Sequence, residues 1–447
     1  MKTRIGLIAA SLATGVLMAG NGALAAGYAL REQSAVGQGA AFAGSAARGD
    51  DPSMIFFNPA AMAWLPGMQA ATVASAIWPE AAAQSGSASR NALLGGSAIT
   101  GSLGGDAALD AVIPALYGTA AVGERWRLGL GVTMPWGLVT KYPADFIGRY
   151  HALTSSLRTI NIAPAVSWRP QPNLAFGAAL QIQYADARLS NAVDFGAVGA
   201  VSGLGRFGLL PGTRDGRATT SGDDTALGWQ IGAQWEPLAG TRLGLAFRSA
   251  IFHELRGEAS FQGVPAPLNA SAQFANTGGR AKLTTPEVLS LGVTQRLNER
   301  WTLLAEADWT NWSRFRELVV HFDSGRPPSV TEERWRDSWF LSLGTEYRAT
   351  EGLTLRAGFA YDRTPVPTET RTPRIPDSDR YWLSIGASYQ VTNNATLSAA
   401  YTHVFADDAG VALRDRGPGT SDFLRGDLNM AYQASVDILA VQARFAF

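Results

Sequence analysis

From Asn173 to Tyr184 the chain alternates strictly. Leu174, Phe176, Ala178, Leu180, Ile182 and Tyr184 fall on one face, and Asn173, Ala175, Gly177, Ala179, Gln181 and Gln183 on the other. Successive side chains of a strand point to opposite faces, so this is a strand with one apolar face and one small or polar face. The pattern recurs along the chain. Leu227, Trp229, Ile231, Ala233 and Trp235 oppose Gly228, Gln230, Gly232 and Gln234. Trp301, Leu303, Ala305, Ala307 and Trp309 oppose Thr302, Glu306 and Asp308, and Leu353 to Tyr361 and Tyr381 to Tyr389 follow the same rule.

Alternation alone fits a soluble sandwich as well as a membrane barrel. Two details favour the barrel. Aromatic residues close both ends of the apolar face, as in Trp301/Trp309 and Tyr381/Tyr389. At ~3.3 Å per residue such tilted strands match an apolar band ~25 Å tall with aromatic girdles. Charged residues such as Arg356, Glu306 and Asp308 lie on the opposite face, inside regular strands. At the C-terminus Leu439, Val441, Ala443, Phe445 and Phe447 alternate up to a terminal aromatic. This resembles the last-strand signal read by outer-membrane assembly machinery, an expected partner in biogenesis.

The N-terminus sets the compartment. Lys2 and Arg4 precede an uncharged apolar stretch, Ile5 to Ala19, and Ala23-Leu24-Ala25 offers small residues for cleavage. The spacing predicts a secretory signal peptide over 1–25, cut near Ala25 or Ala26. No later uncharged apolar run is long enough for a membrane helix.

Counting back from a last strand that ends at the periplasm predicts short turns near 391–394, 349–352, 298–300, 237–240, 170–172 and 123–126. Long external loops are predicted near 406–434, 363–379, 313–337, 254–285, 187–222, 136–156 and 79–110. The alternation of short and long connections gives an all-β, transmembrane antiparallel barrel of about 14 strands over 67–447. Its first strand is placed near 67–78. Residues 26–66 are rich in Ala and Gly and alternate little, yet include Phe42, Ile55, Phe56, Phe57 and Trp64. They are expected to fold back as a plug.

Composition narrows the chemistry. The 447 residues carry no net formal charge and only 17% charged residues, which gives no reason to expect a nucleic-acid partner. Cysteine is absent, excluding disulfides, thiolate metal sites and thiol nucleophiles. The four histidines, 151, 253, 321 and 403, are scattered. His403 precedes Asp407 and Asp408, but no nucleophile elbow or metal-spaced pair accompanies it. No catalytic residue, cofactor or metal is therefore assigned. Asp377 and Asp379 are read as a hydrogen-bonded turn.

Several segments, in order, resemble the FadL/TodX family of outer-membrane transporters for long-chain fatty acids and aromatic hydrocarbons. They are Ala26-Gly27-Tyr28-Ala29-Leu30, Asn58-Pro59-Ala60, Pro135-Trp136-Gly137-Leu138 followed by Gly148-Arg149-Tyr150, Leu283-Thr284-Thr285-Pro286-Glu287, and Ile375-Pro376-Asp377-Ser378-Asp379-Arg380. The resemblance implies a barrel plugged by an N-terminal hatch of about forty residues, and passive uptake of a hydrophobic small molecule. It also implies hatch movement and a lateral exit into the membrane near a kinked third strand. Asn58, Pro59 and Ala60 are then hatch-gate candidates, and Pro135 and Gly137 candidates for the kink, since proline cannot complete a ladder and glycine marks bulges. Met54, Ile55, Phe56 and Phe57 are candidate pocket residues. Arg188 and Arg336, near external strand ends, are candidates for an acidic head group. The remaining alternatives are a structural or adhesive barrel, an open polar porin and an outer-membrane hydrolase. Outer-membrane lipid and lipopolysaccharide are the expected surroundings.

Overall fold

The computed structural model describes residues 27–269, 272–420 and 422–447. The expected signal peptide lies outside them. The wall is a closed antiparallel barrel of 14 strands. The last strand, Asp427–Ala446, closes the ring on the first, Met68–Ser89, with Ala70 opposite Phe445 and Ile77 opposite Ile438.

Burial decides between sandwich and barrel, because it runs the opposite way to that of a soluble core. Leu227, Trp229 and Ile231 are 64, 47 and 49% exposed, while Gln230 and Gln234 between and beyond them are buried. Leu383 and Ile385 are exposed in the same way, and Glu306, Asp308 and Arg356 are buried. The apolar face is the outside of the wall, where hydrocarbon replaces water, and the polar face lines the lumen.

Short connections join Val122 to Trp126, Gln171 to Leu174, Leu238 to Thr241, Arg296 to Trp301, Arg348 to Leu353 and Thr392 to Ala395, at the six expected turns. The long connections need correction. Strands Leu174–Asp194 and Asp215–Leu238 run into both ends of the loop expected over 187–222 and shorten it to 195–214. Ile251–Gln262 and Thr277–Thr285 likewise run through 254–285. The first strand continues to Ser89. Beyond the lipid boundary both faces of a strand meet water, so the apolar alternation fades although the ladder continues. Residues 313–337 hold a short hairpin, Glu317–Phe322 with Ser329–Glu332.

The third strand is broken. It runs Trp126–Thr133 and resumes as Gly137–Lys141. The ladder to the second strand stops at Leu116–Val132, and Gly137–Lys141 is paired as a strand with Thr154–Gln171. Pro135 has no N–H for the ladder. In place of the missing partner comes the N-terminal segment. Leu30 N donates to Pro135 O at 2.8 Å and Gly137 N to Tyr28 O at 2.9 Å.

Residues 27–66 are surrounded by the wall. Two 3-10 helices, Pro52–Phe56 and Pro59–Trp64, start at the caps Asp51 and Asn58, each followed by the proline that suits a first helical turn. Lumen-facing glycines let the segment's backbone approach. A Cβ on Gly177 would stand 2.3 Å from Ala60 N, one on Gly244 2.0 Å from Ala46 O, and one on Gly358 2.2 Å from Ala40 O. Gly177 pairs with Gly232, Gly244 with Gly292 and Gly344 with Gly358 in register, so the clearance forms paired seats on neighbouring strands.

Candidate functional site

The segments that carry the family resemblance lie far apart in sequence, and the structure gathers three of them on a fourth, residues 27–30. Gly27 N donates to Asp377 Oδ2 at 3.1 Å. Tyr28 Oη donates to Thr284 O at 3.3 Å. Gly137 and Pro135 take the backbone of Tyr28 and Leu30. Asp377 is fixed in turn by Arg380 and by Thr364 Oγ1, and Asp379 accepts from Thr364 N. The two aspartates thus hold a loop turn and the start of the described chain.

Asn58 explains its motif locally. Its Oδ1 accepts from Ala60 N at 2.9 Å, capping the helix. Its Nδ2 donates to Ala46 O at 2.7 Å, and to the wall carbonyls of Ala233 and Leu245 at 3.2 and 3.3 Å. Pro59 and Ala60 lie against Gly177. One side chain therefore joins the two halves of the segment to the wall.

A cavity of about 860 Å³, its open mouth included, lies on the outer side of Tyr28. Its walls are apolar: Leu138, Leu157, Leu189, Leu255, Leu283 and Phe315 among others. The polar side chains that break this lining include Glu333 and Arg374, both from external loops. Burial pushes the Glu333 carboxyl up to about 7, against the opposing pull of the Trp335 N–H and Arg374. Arg374 Nη1 donates to Ser155 Oγ at 3.0 Å and to Thr154 O at 3.2 Å. Burial, with Arg425 nearby, lowers its guanidinium to about 10, so it remains cationic. Arg374 also lines two outer cavities, both shared with Arg425. Neither arginine makes an ion pair with a carboxylate among the described residues. His151, beside them, is pushed down to about 3 by burial and by Arg425. It stays neutral and accepts no charge.

On the inner side of Tyr28 lies a second cavity, bordered by Leu30, Phe56, Phe57, Pro135, Trp136 and Arg248. Arg248 Nη2 donates to Phe56 O at 2.5 Å and its guanidinium lies 4.2 Å over the Phe56 ring.

The sequence candidates divide accordingly. Phe56 and Phe57 reach the second cavity. Met54 and Ile55 do not; they are buried in separate packing clusters, Met54 with Phe42 and Phe57, Ile55 with Met62 and Val73. Arg188 and Arg336 are not brought to the lining of either cavity. Arg188 is exposed, while its neighbours Ala187 and Leu189 line the cavity. A strand sends adjacent side chains to opposite faces, and Arg188 shares the outward parity of Leu180 and Ile182. Arg336 is 68% exposed at its side chain and faces Glu369 at 3.7 Å. Sequence reading missed Arg374, Arg425 and Glu333, which sit in loops where no periodicity marks a facing. His403 pairs not with Asp407 or Asp408 but with Asp437, Nδ1 to Oδ1 2.8 Å.

Comparison with known proteins agrees with this architecture. An outer membrane protein of Neisseria meningitidis serogroup B is 29% identical over 447 residues, covering 95% of each chain. The long-chain fatty acid transport protein of Escherichia coli O6:H1 is 27% identical over 389 residues, 83% of this chain and 84% of that one. The crystal structure of a Pseudomonas aeruginosa FadL homologue superposes with a TM-score of 0.85 at 25% identity, covering 94% of this chain and 99% of the other. The family model described as outer membrane protein transport protein (OMPP1/FadL/TodX) matches residues 16–447. The chain belongs to this family of outer-membrane transport proteins.

Proposed function

We propose that the protein is a passive outer-membrane uptake channel for amphiphiles with a long apolar body and an anionic head, long-chain fatty acids being the class that fits best. One observation supports the choice of head group: Arg374 lines the apolar cavity and shares two outer cavities with Arg425, and neither has a carboxylate within ion-pair distance among the described residues. A half-buried guanidinium with no carboxylate in ion-pair contact favours an incoming carboxylate, which accepts charge-assisted hydrogen bonds there. An uncharged aromatic hydrocarbon can accept no charge-assisted hydrogen bond from either arginine.

In this reading residues 27–66 are a hatch. Most of it stays seated on the glycine seats and on Asn58. Only residues 27–30 move, and their departure from Pro135 and Gly137 opens the wall beside the third strand. The ligand then leaves sideways into lipid, where its apolar body is stable, and avoids an aqueous pore. The barrel's surroundings are outer-membrane lipid and lipopolysaccharide, and the last strand is the mark for assembly. No catalytic step is assigned. His403 and Asp437 lie on the outward face, away from both cavities.

Deletion of the gene should slow uptake of radiolabelled oleate by whole cells, and the wild-type gene should restore it. In purified protein, Arg374→Ala and Arg425→Ala should each weaken oleate binding about tenfold and oleyl alcohol far less. Unchanged uptake after deletion would overturn the transport reading. Equal losses for acid and alcohol would overturn the head-group assignment and leave the channel.

A further inference from the structure

Tyr28 is an aromatic ring seated in an aromatic box. Trp312 lies 4.6 Å from it, Trp335 5.6 Å, Trp136 6.0 Å and Phe315 6.0 Å, centroid to centroid. Trp136, Trp312 and Phe315 meet the ring at 70°, 83° and 89°, so edges face ring planes; Trp335 is tilted at 45°. The box also packs on itself. Trp136 and Trp312 are 5.6 Å apart, Trp312 and Trp335 5.1 Å, and Phe315 and Trp335 5.0 Å. Its members come from the break in the third strand and the loop region 311–337, whereas Tyr28 comes from the hatch. The walls therefore hold one another, and the hatch supplies only the occupant.

The seat is built for that occupant. Thr284 O accepts the phenol hydroxyl at 3.3 Å. Gly27, at φ +62°, passes so close that a Cβ there would meet Trp335 at 2.5 Å. The seat also has access. Tyr28 and Phe315 border the apolar cavity, and Trp136 borders the cavity beyond.

We propose that this box is a ligand subsite, specific for a single aromatic ring bearing a hydroxyl, and that Tyr28 is the resident ring of the closed state. The proposal rests on the uptake reading in one respect: the apolar cavity is the route by which a ligand reaches the box. Edge-to-face partners favour a ring beyond what area burial gives a saturated chain. When Tyr28 leaves, the part-buried Thr284 carbonyl loses the phenol hydroxyl as a donor, a loss that another hydroxyl can make good. A phenol restores both the ring contacts and the hydrogen bond; toluene restores only the first. A phenolic ligand in the box would also keep residues 27–30 from returning, so this class holds its own exit open.

The test is binding of p-cresol, the side chain of tyrosine without its backbone, to purified full-length protein in detergent, read by calorimetry. Tyr28→Ala should bind one equivalent about tenfold more tightly than wild type, and toluene more weakly than p-cresol. Trp312→Leu added to Tyr28→Ala should remove the gain. Equal p-cresol affinity in Tyr28→Ala and wild type, or a gain that survives Trp312→Leu, overturns the proposal. Should Tyr28→Ala fail to fold, Tyr28→Phe serves. It keeps the ring but frees the Thr284 carbonyl, so p-cresol should gain affinity over wild type while toluene gains less; equal gains overturn it. Because binding is read on isolated protein, a failed oleate uptake assay would sink the transport reading and leave the box. Absent p-cresol binding would sink the box and leave transport.

Discussion

Asn58 of the N-terminal segment lies directly against Gly232 of the wall: a Cβ on the glycine would stand 2.0 Å from Asn58 Oδ1. That oxygen is already the cap acceptor for Ala60 N, and the same side chain's amide binds three carbonyls. Contact at this distance leaves no room for a methyl group. Gly232→Ala should therefore unseat the segment while sparing the strand, whose ladder to Leu174–Asp194 depends on backbone groups. Overpacking of this kind costs on the order of 1–3 kcal/mol. The expected outcome is a folded barrel with raised ion conductance in planar bilayers. Conductance equal to wild type would show that the segment does not block the lumen at this point.

The kinked third strand supports a second prediction. A Cβ on Gly137 would approach Leu30 Cδ1 at 2.8 Å, and Gly137 N is hydrogen-bonded to Tyr28 O. Gly137→Val should push residues 28–30 off the break without touching Arg374 or Arg425. Oleate binding in the outer cavity should then change less than about threefold, while a thiol reagent should label Leu30→Cys faster in the Gly137→Val background than alone. Equal labelling rates would mean that these residues already leave freely.

The wall was legible in the chain because hydrocarbon outside and polar groups inside impose one apolar residue in every two. Where lipid ends, that constraint ends, and strands such as Thr277–Thr285 read as loop. The four motif segments were legible as resemblance, but nothing in their order announced that Gly27 would meet Asp377 or Tyr28 meet Thr284. Those contacts are set by the closure of the barrel, which brings residues 350 positions apart within hydrogen-bond reach. The cavity's charges were not legible. Arg374, Arg425 and Glu333 occupy loops, and their facing follows from how those loops fold over the barrel mouth.

Glu333 gives a pH dependence. Its carboxyl is held up to about 7 by burial, with the Trp335 N–H and Arg374 as the groups opposing that rise. Below that pH it is neutral and does not repel a carboxylate entering beside Arg374. As pH rises through 7 it ionises and competes for the same cation, while oleate is ionised on both sides of the transition. His151 stays neutral throughout, since its proton is lost near 3. Oleate affinity should fall about threefold to tenfold between pH 6 and 8.5, and Glu333→Gln should flatten the profile at the tighter level. A rise in wild-type affinity with pH would contradict the placement of this carboxyl beside the head group.

Arg188 provides the sharpest contrast between a chemical expectation and a geometric one. By residue type and by its place near an external strand end it is as good a carboxylate ligand as Arg374. By parity its side chain is on the face away from Ala187 and Leu189. Gln181, Gln183 and Ala185 are buried toward the lumen, and the cavity is lined by Ala187 and Leu189. Arg188 lies between these two on the opposite face, across from Ser156 and Ser221 in register. A slip of one residue would be needed to turn it inward, and that slip would expose the whole polar face to lipid. Arg188→Ala should therefore leave oleate affinity within about twofold of wild type, where Arg374→Ala lowers it about tenfold. If the two substitutions were equally damaging in a calorimetric titration, the strand's register, and with it the assignment of inside and outside along Leu174–Asp194, would have to be abandoned.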